Sequence, residues 1–198
     1  MHIKKGKGRL VIVLPLLDVV IKIPLIQGIN FLIGVWKAFV GKTYTERLLK
    51  IDTENVYFRG VLENWREFTF WNHTQNPFLQ PTYFSFFGLL NIQKFGKPHD
   101  IKDTDLLYQI QYYTKWFCWE HIHSFENPSN YCLDDEGKIR IVDYGNPYAQ
   151  KVIERFGKEC HEGISTTFKD GIDDAHWVEL QKIGIEYGKF KQKKTLKS

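Results

Sequence analysis

Residues 131–146, YCLDDEGKIRIVDYGN, constrain the fold more than any other stretch of the chain. Two short runs, 130–133 and 139–142, flank Asp134-Asp135-Glu136-Gly137. Acidic residues followed by Gly favour a tight reverse turn, so the stretch predicts a β-hairpin. A hairpin returns the chain and sets its two ends side by side. Asn130 stands at one end; Asp143-Tyr144-Gly145 begins thirteen residues later, at the other. An amide oxygen and a carboxylate at neighbouring chain ends are hard oxygen donors.

The rest of the chain has to supply a body for that hairpin. At 198 residues it suits one domain or one domain of two small lobes. Hydrophobic residues are 43% and aromatic residues 16%, which is ample for a core and argues against disorder away from the ends. The net charge of +4 is local, concentrated in MHIKKGKGR and KFKQKKTLKS. Such ends are solvated, or meet phosphates or an anionic membrane face; no strong signal marks a nucleic-acid binder. Three cysteines without a C-x-x-C pair suggest a reducing, cytoplasmic setting. Cys118, His121, His123 and Cys132 match no standard zinc spacing. No signal peptide is expected. The apolar run 23–36 is shorter than the roughly 20 residues of a membrane span and reads as buried or interfacial.

Along the chain, RLVIVL (9–14) and VVIKI (19–23) read as strands joined by a turn at Pro15 to Asp18. Helical apolar spacing recurs in 25–56, and a clearer helix covers 57–74. There Val61, Trp65 and Phe68 share a stripe with Leu62 beside it, and Glu63 and Glu67, four apart, lie on one face. Strands are expected near 82–87 and 89–95, then a long helix capped by Asp103 and reaching about His123. Further helices are expected near 147–157 and 173–187. The fold class is α+β, sheet-rich in the N-terminal half and helical in the C-terminal half.

Asn130, a short hairpin with Gly137 at its turn, and then Asp143-Tyr144-Gly145 resemble the protein-kinase superfamily, which runs catalytic loop, Asn, hairpin, Asp-Phe-Gly. VVIKI resembles its Val-Ala-Ile-Lys strand. The resemblance implies a minimal kinase-like bilobal fold. Residues 1–96 would form an N-lobe-like half carrying an insertion at 25–56, and residues 97–198 a reduced helical half. It implies ATP and Mg²⁺ as cofactors, with Lys22 on the α/β-phosphates, Glu67 (Glu63 next) holding Lys22, and Asn130 and Asp143 on the metal.

The departures are as specific as the matches. HSFENPSN places Phe125 where the family has its catalytic Asp. Glu126 and His123 are the nearby candidates for a base. Gly6 and Gly8 are only part of the Gly-rich loop, and the five residues before Gly6 are too few for a full first strand. Lys4, Lys5, Lys7 and Arg9 are candidate phosphate contacts. Only 55 residues follow Asp143, with no Ala-Pro-Glu. Two functions remain: phosphoryl or nucleotidyl transfer to an unidentified protein, sugar or glycolipid acceptor, and an inactive pseudokinase serving as a binding module. A membrane-peripheral protein is the third reading.

Overall fold

β-Branched residues at 9–14 and 19–23 form the centre of a sheet, as their stiff side chains favour. In the computed structural model, which describes residues 1–6, 8–25 and 59–166 together with Val178 and Lys182, the strands are β1 (His2–Lys5), β2 (Arg9–Leu14), β3 (Val19–Pro24), β4 (Thr82–Ser85) and β5 (Asn91–Lys94). They make one antiparallel sheet in the order β1-β2-β3-β5-β4. The region read as an insertion at 25–56 lies outside the described residues, Leu25 apart, as does the helix expected at 173–187, apart from Val178 and Lys182. The short N-terminus is a strand after all: His2 pairs with Val13 and Lys5 with Leu10. Four residues suffice because β2 is already pinned along its other edge by β3. Gly6 and Gly8 therefore sit in the β1–β2 turn, closed by the Gly6 amide donating to the Arg9 carbonyl at 2.8 Å.

The chain divides into two compact units: residues 1–73 with 81–95, and residues 74–80 with 96–198. In the first, helix α1 (Arg59–Thr74) buries Gly60, Asn64 and Glu67. The apolar stripe of this helix is not its buried face. Val61, Leu62 and Phe68 are only half-buried and Trp65 is exposed. The reason is the sheet surface that α1 meets, whose buried side chains include Arg9, Lys22 and Asn91 and demand polar partners. Gly60 fits because a Cβ there would lie 2.3 Å from the Gly8 carbonyl oxygen.

Among the described residues, the buried hydrophobic side chains lie in the second unit. Helix α2 (Asp103–Tyr113) is shorter than expected, and Asp103 is its first residue, without a cap hydrogen bond from Lys102 before it. Thr114 ends it by bonding back to the Ile110 carbonyl at 2.7 Å, and Lys115 and Trp116 turn left-handed. A 3-10 helix follows over Phe117–Ser124. Phe117 packs on Phe156 of α3 (Pro147–Gly163), with centroids 5.4 Å apart, so aromatic packing overrides helix continuation. α3 starts where Asn146 accepts from the Tyr148 amide at 2.9 Å, with Pro147 in its first turn. It buries Ala149, Val152, Ile153, Phe156, Gly157 and Cys160, a stripe at helical spacing. No helix among the described residues is long and apolar enough to cross a membrane.

The hairpin of β6 (Tyr131–Leu133) and β7 (Ile139–Ile141) is flanked on both sides, by Lys97 against Leu133 and Leu79 against Ile141. Asp134 builds its turn. One carboxylate oxygen accepts from the Glu136 and Lys138 amides at 3.0 and 2.8 Å, and the other from Arg140 Nε at 2.7 Å. Burial pushes this carboxyl up, but Arg140 and the two amides outweigh it and hold it below its ordinary value. A lowered folded pKa gives stability that is complete above the unfolded carboxylate range and is lost as pH falls through the lowered value. Asp134→Asn is expected to cost about 1–3 kcal/mol at neutral pH. The difference from wild type should shrink below about pH 4. Urea midpoints at neutral and acid pH check this; a difference independent of pH would rule out the charge as its cause.

Candidate functional site

Glu67 projects from α1 into the first unit and is fully buried. Each carboxylate oxygen has its own cation. Lys22 Nζ on β3 lies 2.7 Å from Oε2, and Arg9 on β2 lies 2.6 Å from Oε1. Lys22 and Glu67 are 45 residues apart in sequence. Asn64, one turn earlier on the same face, completes the cluster. Its side chain accepts from Arg9 at 3.2 Å and donates to the carbonyls of Lys22 and Gly88 at 3.2 and 2.9 Å. Asn91 of β5 in turn donates to the Asn64 carbonyl at 2.7 Å. Glu63 stays nearer the surface, 2.7 Å from Arg59 and 3.6 Å from Arg9. Of the two glutamates, it is Glu67 that meets Lys22.

Two side chains in this cluster were not legible as members of it. Arg9 reads from sequence as a phosphate contact beside the Gly pair; instead it is buried against Glu67 and Asn64. A guanidinium at the start of a strand facing a helix carboxylate gains more from that pairing than from solvent, provided its fork is satisfied. Asn64 carried a usable signal, since it precedes Glu67 by three residues and so shares its face. Lys4 and Lys5 remain exposed, and Lys7 lies outside the described residues.

In the second unit, Asn130 closes a 3-10 turn (Pro128–Asn130) that opens on Asn127, whose side chain accepts from the Ser129 amide at 3.1 Å. The Asn130 carbonyl accepts from the Val142 amide at 2.7 Å. Asn130 is thereby fixed across from the residue preceding Asp143, at the open end of the hairpin. Both side chains are half-buried, and their oxygens are hard donors of the kind Mg²⁺ takes. Tyr144 anchors the end: its ring is fully buried and its hydroxyl donates to the Gln80 carbonyl at 2.8 Å.

His123 Nδ1 and Glu126 Oε1 are 2.6 Å apart, and both side chains are exposed. Phe125, between them in sequence, points the other way and is 2% exposed. Tyr131 donates to its carbonyl at 2.9 Å. The loop thus keeps the polar groups of His123 and Glu126 outside and the ring of Phe125 inside. Burial also governs the cysteines: it pushes the Cys118 thiol up to about 11 and Cys160 higher still. Among the described residues, no three His, Cys, Asp or Glu side chains gather as metal ligands. A cavity of about 270 Å³ lies where Thr74–Pro77 meets the Glu154–Glu159 side of α3, and no residue singled out from sequence lines it.

Removing the anion of a buried cluster leaves its cations uncompensated, so Glu67→Gln is expected to cost about 3–5 kcal/mol. A double-mutant cycle of Arg9→Met with Glu67→Gln should show a coupling of about 0.5–3 kcal/mol by denaturant titration. A coupling near zero would mean that Arg9 does not act on Glu67. Phe125→Asp should destabilise by about 3 kcal/mol or more, because the new carboxylate enters an apolar interior. An unchanged melting temperature for that variant would contradict the buried position. Compared with models of known protein families, with curated proteins and with solved structures, the chain gives no match.

Proposed function

We propose that this chain is a minimal kinase-like protein that binds ATP with Mg²⁺ and transfers a phosphoryl or nucleotidyl group to a protein, sugar or glycolipid acceptor. The observation that carries the reading is the buried contact between Lys22 and Glu67, a lysine on the third strand and a glutamate on the following described helix, 2.7 Å apart. Kinase chemistry uses that pair to hold the lysine toward the α/β-phosphates. The turn containing Gly6 and Gly8 between β1 and β2, and the hairpin ending in Asn130 and Asp143, support the same assignment.

In this reading Lys22 contacts phosphates, and Glu67 fixes its position. Asn130 and Asp143 hold Mg²⁺, which neutralises charge on the phosphates when bound. Much of the catalysis in phosphoryl transfer is positioning and electrostatics, so loss of the loop Asp does not by itself abolish it. Glu126 would keep the His123 Nδ1 proton in place and leave Nε2 to accept a proton from the acceptor hydroxyl. The buried Phe125 favours a second reading, a pseudokinase that binds nucleotide without transferring it.

Calorimetric titration of ATP with and without Mg²⁺ tests the binding assignment. Wild type should bind in a Mg²⁺-dependent manner and Asp143→Ala should lose that dependence. Equal binding by the variant would overturn the metal assignment, and no binding by wild type would overturn both readings. Where binding holds, loss of transfer in His123→Ala separates the enzyme from the pseudokinase.

A further inference from the structure

The β4–β5 connection is an aromatic tip. The Leu89 amide donates to the Phe86 carbonyl at 2.8 Å, and the Phe86 amide to the Leu90 carbonyl at 2.9 Å. Phe87 and Gly88 occupy the centre of this turn with φ of 48° and 75°. Paired left-handed residues suit a hairpin, and Asn-Gly is the ordinary choice for them. A bulky ring in that conformation is strained. The ring does not enter the interior: Phe87 is 72% exposed and Phe86 53%. Phe87 stacks at 6.4 Å on Trp65 of α1, itself 41% exposed, and lies edge-on to Phe86 at 5.2 Å. Tyr83, Phe84 and Leu89 extend the exposed apolar surface.

Among the described residues, the exposed charge at this end of the sheet is mainly positive. Registers run from Lys5 through Leu10 to Ile23, and from Lys22 through Asn91 to Ser85. The exposed Lys4 and Lys5 therefore lie at the same end of the sheet as Phe86–Leu89, on its opposite edge. Arg59 begins α1 at that end, where Gly60 meets Gly8. Among the described acidic residues of this unit, Asp18 lies at the other end, Glu67 is buried, and Glu63 is engaged by Arg59 and Arg9.

We propose that the Phe86–Leu89 tip, backed by Trp65 and accompanied by Lys4 and Lys5, docks on an anionic lipid surface. Aromatic rings are favoured at the boundary between headgroups and acyl chains, and lysines are drawn to anionic headgroups. The rings stand on a projecting turn, the shape that enters a soft interface, and the exposed lysines at the same end of the sheet complement the charge of that interface. The aromatic tip contains none of the residues of the nucleotide-binding reading and differs from the apolar run 23–36.

Co-sedimentation with phosphatidylcholine vesicles, with and without phosphatidylglycerol, tests the proposal. Wild type should bind the phosphatidylglycerol vesicles and release as salt rises. Phe87→Gly removes the ring and suits the left-handed turn, so it should fold as well as wild type and bind about tenfold more weakly. Lys4→Glu with Lys5→Glu, on an exposed edge, should weaken binding by at least about fivefold per lysine. Absence of wild-type binding at low salt, or unchanged binding in either variant, would overturn the proposal. So would a concentration-dependent dimer, seen by analytical ultracentrifugation, that Phe87→Gly abolishes, since the tip would then serve a second copy.

Discussion

A carboxylate buried without countercharge is untenable, and Glu67 is kept in the first unit by two cations from two adjacent strands. That one requirement sets much of the local architecture. Arg9 and Lys22 must face the same side of the sheet, so the β2–β3 register is fixed. α1 must come close enough for a short side chain to reach, so glycine is needed at position 60. Asn64 ties the helix to β3 and to the β4–β5 turn through their carbonyls. Buried ion pairs return little net stability against well-packed apolar side chains. Their physical strength is in geometry: a slip of one residue would leave a charge unpaired. The position of Lys22 is therefore specified more tightly than apolar packing would specify it.

The second unit rests on the opposite arrangement. Its interior is built from Phe78, Leu79, Leu106, Ile110, Ile139, Ile141, Ile153 and Phe156, with the rings of Phe125 and Tyr144 added from the loops. The same interior that holds Tyr144 holds the Asp143 backbone beside it. Phe125 performs a comparable service for the loop carrying His123 and Glu126. Phe at position 125 thus serves the loop as an anchor, held in the interior. The His123–Glu126 contact is short but solvent-exposed, so its strength depends on local order rather than on a low dielectric.

How much of this was legible follows from which forces act locally. The strands at 9–14 and 19–23 and the hairpin were readable because β-branched runs and an acidic turn with Gly act within a few residues. The small first strand was missed because four residues carry almost no propensity of their own; pairing with β2 makes it a strand. The end of α2 was missed because Thr114 and the packing of Phe117 on Phe156 decide it, and the second of these is tertiary. The choice of Glu67 over Glu63 was readable in outline, but Arg9 was not: nothing near position 9 announces a partner 58 residues away. The inward face of α1 was not legible for the same reason. A hydrophobic stripe indicates a buried face only when the opposing surface is apolar.

The polar inner face of α1 has a physical sequel. Once the inner face of α1 is committed to Asn64 and Glu67, its aromatic residues have to lie elsewhere, and the exposure of Trp65 needs no further cause. Phe87 is different. Neither the polar network nor the turn requires a ring there, because Gly or Asn would satisfy the left-handed backbone with less strain. Stacking on Trp65 recovers part of that cost, since an aromatic pair contributes on the order of 1 kcal/mol. A Phe at 72% exposure still leaves most of its surface in water. The exposed ring is what the lipid-docking role proposed for this tip would use.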